Sequence, residues 1–297
     1  MRIGTVKEIW RYPVKSMAGE QIDETHLGAL GVTGDRAWAL HDTEAGEIRG
    51  AKKIPNLLHF AARYLGQPSD GYEATPVQIT TPSDGMVDSA NRIDSTDDGV
   101  SAKLSQAVGR AVTLSARPDP KQDLDHYRTG TALFDDPMEN LRHILGLELD
   151  DAIPDLSGLP PEIRDYASPP GTYFDCFPLH ILTTASLQEL QRLNPDSNYD
   201  LRRFRPNLLI DTDTADESLA GFVESAWGGK LLRIGDVAIR IDTSAVRCAM
   251  PMQSQGALDF DKGTLRTIKE HNGQHLGIYC TVEAFGEIAL GDEVTLD

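Results

Sequence analysis

The sequence predicts an α+β fold in which strands predominate, with a β-rich amino-terminal half followed by a half that mixes strands and helices. Two observations carry this expectation. Short segments with apolar residues at alternate positions, the mark of a strand with one buried face, recur along the chain, and 26 Gly and 17 Pro punctuate it at short intervals. Helical periodicity is confined to three short stretches. At 297 residues the chain is long enough for one large domain or two modest ones, and its 40% apolar and 25% charged residues are those of a globular protein.

Ile3 to Trp10 reads as the opening strand. Ala37 to His41, Leu58 to Tyr64, Val77 to Thr81 and Val112 to Ala116 are further alternating segments. Ser101 to Gly109 is an amphipathic helix with Leu104 and Val108 on one face. Arg117 to Asp123, with two prolines, reads as an exposed connection, so the chain divides softly into 1–117 and 118–297. A Pro- and Gly-rich stretch, 153–172, is long for a plain connection and suggests a functional loop. Leu179 to Thr183 is a strand, and Ser186-Leu187-Gln188-Glu189 has the capping-box pattern that opens a helix. Leu208 to Ile210 is the next strand. Leu231 to Ile234 and Val237 to Ile241 form a hairpin about Gly235-Asp236. A helix over 263–270 and strands at 279–284 and 293–296 complete the chain.

The net charge of −18 disfavours nucleic acid and anionic membranes, whose phosphates such a surface repels. No apolar run approaches a membrane span, and the start of the chain lacks a signal-peptide core, so a cytoplasmic protein is expected. Cys176, Cys248 and Cys280 are too few and scattered for a disulfide framework, and no CxxC suggests zinc or iron–sulfur. No phosphate loop or nucleophile elbow is present, and Gly28, Gly31 and Gly34 do not form a dinucleotide fingerprint. His271 and His275 flank Gly273 and read as loop histidines rather than a helical metal pair.

Four clusters stand out. Tyr12-Pro13-Val14-Lys15-Ser16 places an ammonium and a hydroxyl at a strand end. Gly34-Asp35-Arg36 is a turn carrying one Arg. Arg202-Arg203-Phe204-Arg205-Pro206-Asn207 concentrates three guanidiniums; Pro206 is expected to hold Arg205 extended, so that Arg203 and Arg205 point the same way and grip an anion. Ala245-Val246-Arg247-Cys248 sets an Arg beside a thiol, which favours the metal-binding thiolate. Each has a plainer reading: a polar turn, a surface ion pair, a charged edge strand, a buried cysteine. Cys280, within an apolar strand, reads as core.

In this order the clusters, with Phe174-Asp175-Cys176-Phe177-Pro178-Leu179-His180 and the following Thr183-Thr184-Ala185-Ser186-Leu187, resemble the MOSC family, named for the carboxy-terminal domain of molybdenum cofactor sulfurases. The resemblance implies a MOSC-type β-barrel preceded by a smaller β-rich amino-terminal domain, with a molybdenum–molybdopterin cofactor between them. It implies Cys248 as the protein sulfur ligand to molybdenum. Lys15, Ser16 and Arg36 would contact the pterin phosphate or ring; Asp175, Cys176 and Phe177 would line the site, and Arg205, Asn207, Val246 and Arg247 would complete it. The chain departs from relatives in Val246 before Arg247-Cys248, in Met250 to Gly256 after it, and in Cys176 and Phe177.

The function so implied is a molybdenum oxidoreductase of the amidoxime-reducing kind, acting on N-hydroxylated or N-oxide small molecules. Without a ferredoxin-like cysteine set, its electrons would come from a separate reductase, ferredoxin or cytochrome-type donor. Two alternatives stay open: sulfur transfer through a Cys248 persulfide, and a cofactor carrier without turnover.

Overall fold

The computed structural model describes residues 1–69, 74–83, 86–118, 127, 134–213 and 216–297; for residues 83, 86–90 and 164 only the backbone is described. Most of the expected 117–123 connection lies outside these residues. The central element is a closed barrel of seven strands: β1 (Arg2–Arg11), β11 (Leu179–Thr183), β12 (Leu208–Thr212), β13 (Leu231–Ile234), β14 (Val237–Val246), β15 (His275–Ala284) and β17 (Glu293–Leu296). They are ordered β12-β11-β15-β14-β13-β17-β1, and β1 closes the ring by pairing with β12. All neighbours are antiparallel except β11 and β12, a parallel pair joined through helix α3 (Thr184–Leu193). Ile3, Val6 and Ile9 of β1 fill the interior beside Ile181, Ile210, Ile239, Ile241, Ile278 and Cys280. Cys280 is a core residue, as its apolar strand predicts.

Strand β2 (Glu20–Ile22) extends the barrel sheet from β1. β3 (Glu24–Gly28) and β4 (Gly31–Val32) form a small sheet with β16 (Gly286–Ala289), so the two ends of the chain are paired. The rest of the amino-terminal half holds two further three-stranded sheets. One contains β5 (Trp38–Asp42), β6 (Glu47–Arg49) and β10 (Val112–Ala116); the other contains β7 (Ala61–Tyr64), β8 (Val77–Ser83) and β9 (Met86–Asp94). Helix α1 (Val100–Val108) buries Leu104 and Val108 against their shared core, the face its periodicity predicts. Helices α2 (Pro137–Leu145) and α4 (Lys262–Asn272) complete the fold.

Three expectations are corrected. Residues 55–59 form a 3-10 turn opened by Pro55, so the strand expected from Leu58 begins at Ala61. Helix α3 is capped by Thr183, whose hydroxyl accepts from Ser186 N at 3.2 Å; Ser186 is inside the helix and its hydroxyl donates to Glu224 instead. Arg205 is not extended. Leu201–Arg203 is a 3-10 turn, and Arg205 has φ 55°, since Pro206 closes the right-handed helical region to it. Arg203 and Arg205 therefore part company.

Candidate active site

Loop and strand ends from both halves meet where β1 leaves the barrel. Among the described residues, four non-glycine positions have positive φ, and three are here: Ser16 (71°), Arg36 (48°) and Arg205 (55°). Such backbone strain persists where the surroundings over-determine it, and it clusters at functional sites.

The Tyr12 ring lies between two guanidiniums, with Arg205 4.3 Å and Arg36 4.9 Å from its centroid. Its hydroxyl donates to Pro206 O at 3.0 Å, and its N–H to buried Asp35 Oδ1 at 2.8 Å. Asp35 also pairs with Arg36, so the pair is a buried one, not the surface pair that the turn alone suggests. Arg205 Nη1 donates to Met17 O at 2.7 Å, while Nη2 is buried with no hydrogen-bond partner. Burial pulls this guanidinium down to about 10, the like charge of Arg36 adding to the effect. Arg205 is thus a cation short of an acceptor.

Lys15 is differently placed. Its ammonium is buried and donates to Ser168 Oγ (3.1 Å), Tyr173 O (2.9 Å), Phe174 O (3.2 Å) and Asp175 Oδ1 (2.9 Å). It pins the end of the 153–172 loop and the segment after it to the strand end. Burial lowers its pKa, with Asp175 opposing. Asp175 itself is exposed; burial of its surroundings pushes its carboxyl up, but Lys15, Lys52 and Arg36 hold it well below the usual carboxylate range. Ser16 Oγ accepts from Ala51 N at 2.9 Å. A side chain at Gly50 would meet Ser16 Oγ at 2.6 Å, so only glycine lets the 50–53 loop close here. That loop brings in Lys52, which no sequence motif marks. Lys52 is itself exposed; desolvation by its surroundings opposes, but negative charge at Cys248 and Asp175 outweighs it and raises its pKa.

Cys248 follows β14, with its thiol partly exposed. Val246 is a buried strand residue paired with His275. Arg247 is buried; Nη2 donates to Phe204 O at 2.9 Å and Nη1 lies 3.4 Å from His180 Nε2. Burial, then the Arg247 charge, hold the His180 imidazole well below its usual pKa, and so neutral. Asn207 is a buried brace: its Oδ1 accepts from His180 N (3.2 Å) and its Nδ2 donates to Trp10 O (3.3 Å). Phe177 stacks on Tyr279 with centroids 5.4 Å apart, and His180 meets the same ring at a tilt, also at 5.4 Å. Burial pushes the Cys176 thiol up to about 12, Asp175 adding to it, so this cysteine stays protonated.

The structure therefore brings Lys15, Ser16, Arg36, Asp175, Cys176, Arg205 and Cys248 to one region, with Lys52 and Tyr12 added. Asn207, Val246 and Arg247 stand behind it as supports. Arg203 is turned away, donating to Pro251 O, Gln253 O and Asp259 O, which fixes the loop beyond Cys248. Among the described residues, no group of three or more His, Cys, Asp and Glu is placed to hold a metal ion.

Residues 3–116 match the MOSC N-terminal beta barrel domain and residues 169–295 the MOSC domain; the chain belongs to the MOSC family. It is similar to the mitochondrial amidoxime reducing component 2 of Rattus norvegicus, at 26% identity over 99% of this chain and 83% of that protein. It is similar also to the mitochondrial amidoxime-reducing component 1 of Homo sapiens, at 25% identity with the same coverage. The molybdenum cofactor sulfurase of Oryza sativa subsp. japonica is 26% identical over 82% of this chain, which spans 28% of that protein.

Proposed function

We propose that this protein binds a molybdenum–molybdopterin cofactor through Cys248 and reduces N-hydroxylated or N-oxide-type small molecules, with electrons from a separate donor protein. The observation that carries the reading is the buried, unpartnered Nη2 of Arg205 beside Arg36, in a chain of net charge −18. Cations gathered against that background suit a phosphate-bearing ligand. The donor set also fits. A half-buried thiol with no carboxylate or imidazole cluster among the described residues suits a metal that arrives with its own ligands, and a soft thiolate suits a sulfur-rich centre.

On this reading Cys248 supplies the protein ligand, Arg205 and Arg36 the anion contacts, and Lys52 a cation beside the thiol. When bound, the cofactor supplies two-electron oxygen-atom chemistry. The chain's own part is positional and electrostatic. Asp175, kept ionised by Lys15, Lys52 and Arg36, offers an acceptor to a substrate N–H or O–H. Neutral His180, Tyr279 and Phe177 form an aromatic wall beside Cys176.

The test is the molybdenum and pterin content of wild type and Cys248→Ala, both purified from cells that make molybdopterin. Near-stoichiometric metal in wild type and loss of most of it in Cys248→Ala is the expected result, followed by turnover of an N-hydroxylated compound with an artificial donor. Wild type devoid of both metal and pterin would sink the proposal. Sulfur transfer through Cys248 is the second reading, favoured by the sulfurase likeness and the partly exposed thiol. A stable Cys248 persulfide on metal-free protein, found by mass spectrometry, would select it.

A further inference from the structure

We propose that Gln274 is the positioning residue of Cys248, holding the thiol in place through the peptide groups on either side of it. The inference rests on the reading of Cys248 as the functional thiol. Gln274 is 1% exposed and has φ 68°, a left-handed conformation that glutamine rarely adopts. It directly follows Gly273, which already caps α4 with φ 56°, so two successive residues are left-handed.

The side chain accounts for keeping glutamine there. Its Nε2 donates to Arg247 O at 2.9 Å, the carbonyl of the peptide leading into Cys248, and to Leu145 O at 2.8 Å. Its backbone carbonyl accepts from Arg247 N at 2.9 Å. The peptide leaving Cys248 is tied as well, with Ala249 N donating to Ile144 O at 3.0 Å. Both flanking peptides are thus anchored to the last turn of α2, one directly and one through Gln274. Helix α2 lies between the two matched domains, in neither of them. The clamp is therefore built from a part of this chain outside both family domains. Gln274 Oε1 is buried without a partner, so the amide is held for its two N–H donors. Backbone conformation alone would be served better by glycine.

Two variants separate the amide from the backbone. Gln274→Gly suits the left-handed conformation but removes the clamp, and Gln274→Glu keeps the shape but replaces the donors with an acceptor. Metal-free wild type and variants are alkylated with iodoacetamide, and labelling of Cys248, Cys176 and Cys280 is followed by peptide mass spectrometry. We expect the Cys248-to-Cys176 labelling ratio to change by about threefold or more in Gln274→Gly, which loses both amide hydrogen bonds, with Cys280 unlabelled. In protein purified from molybdopterin-producing cells, the same variant should hold about tenfold less molybdenum, as when a ligand loses its supporting shell. An unchanged ratio, or parallel rises at all three cysteines, overturns the proposal, because general loosening moves them together. Wild type lacking molybdenum overturns the cofactor reading instead, and the labelling ratio still decides the role of Gln274.

Discussion

Glu224 is sealed within the protein, 1% exposed, with Oε2 accepting from Thr183 Oγ1 and Ser186 Oγ at 2.7 Å each and Oε1 unpartnered. Burial raises its pKa above the ordinary 4.5, the two hydroxyls opposing only in part. The native state therefore holds this proton more tightly than the unfolded chain does. Its contribution to stability is present below the unfolded value and is lost as pH rises through the folded one. Urea midpoints measured from about pH 5 to about pH 8 should fall with a component that Glu224→Gln abolishes. An identical pH slope in the variant would contradict this assignment. The same scale explains what was legible at the site. Cys248, Arg36 and Arg205 announce themselves by chemistry rare in an acidic chain. Lys52 and Gln274 do not, because their roles come from a loop closure at Gly50 and a turn after α4 that no local pattern encodes.

Among the secondary-structure elements, apolar alternation locates β1, and short apolar runs bounded by turn residues locate β11, whose five residues are all buried, and β12. What escapes is mostly short, β2, β3, β4, β6 and β16 spanning five residues or fewer, but the nine-residue β9 and helix α2 are missed as well. The true cap of α3 is missed for another reason. Thr183 and Ser186 both offer hydroxyls, and the buried Glu224 claims the second. Strand β15 shows how an element shapes the site. Gly277 has φ 77°, and a methyl group there would meet His180 Nε2 at 2.5 Å and Ile181 O at 2.7 Å. Gly277→Ala should cost about 2–4 kcal/mol, combining left-handed strain with overpacking, and should disturb the His180–Tyr279 wall. Gly235→Ala, with φ 56° but nothing within 4 Å, should cost only about 1 kcal/mol. Equal losses in guanidinium unfolding would show that strain alone matters at both.

The whole molecule is laced together across its length. Strand β1 belongs by sequence to the amino-terminal family domain, yet it closes the carboxy-terminal barrel between β12 and β17. Strand β16 returns to pair with β3. The division at 117/118 therefore separates sequence families but cuts through shared sheets. A fragment of residues 118–297 retains six barrel strands and leaves the facing edges of β12 and β17 unpaired, with Ile210 and Val294 losing the cover of Ile3 and Val6. Exposed edges of this kind template aggregation. Pairings so distant in sequence also carry a large loop-closure cost before they contribute. Expressed alone, the fragment should aggregate or show no cooperative melting transition, whereas co-expression with residues 1–117 should recover a soluble complex. A cooperative, monomeric fold of 118–297 by size exclusion and calorimetry would refute the shared-strand argument, and with it the view that barrel closure is what carries Tyr12, Lys15 and Ser16 to Cys248.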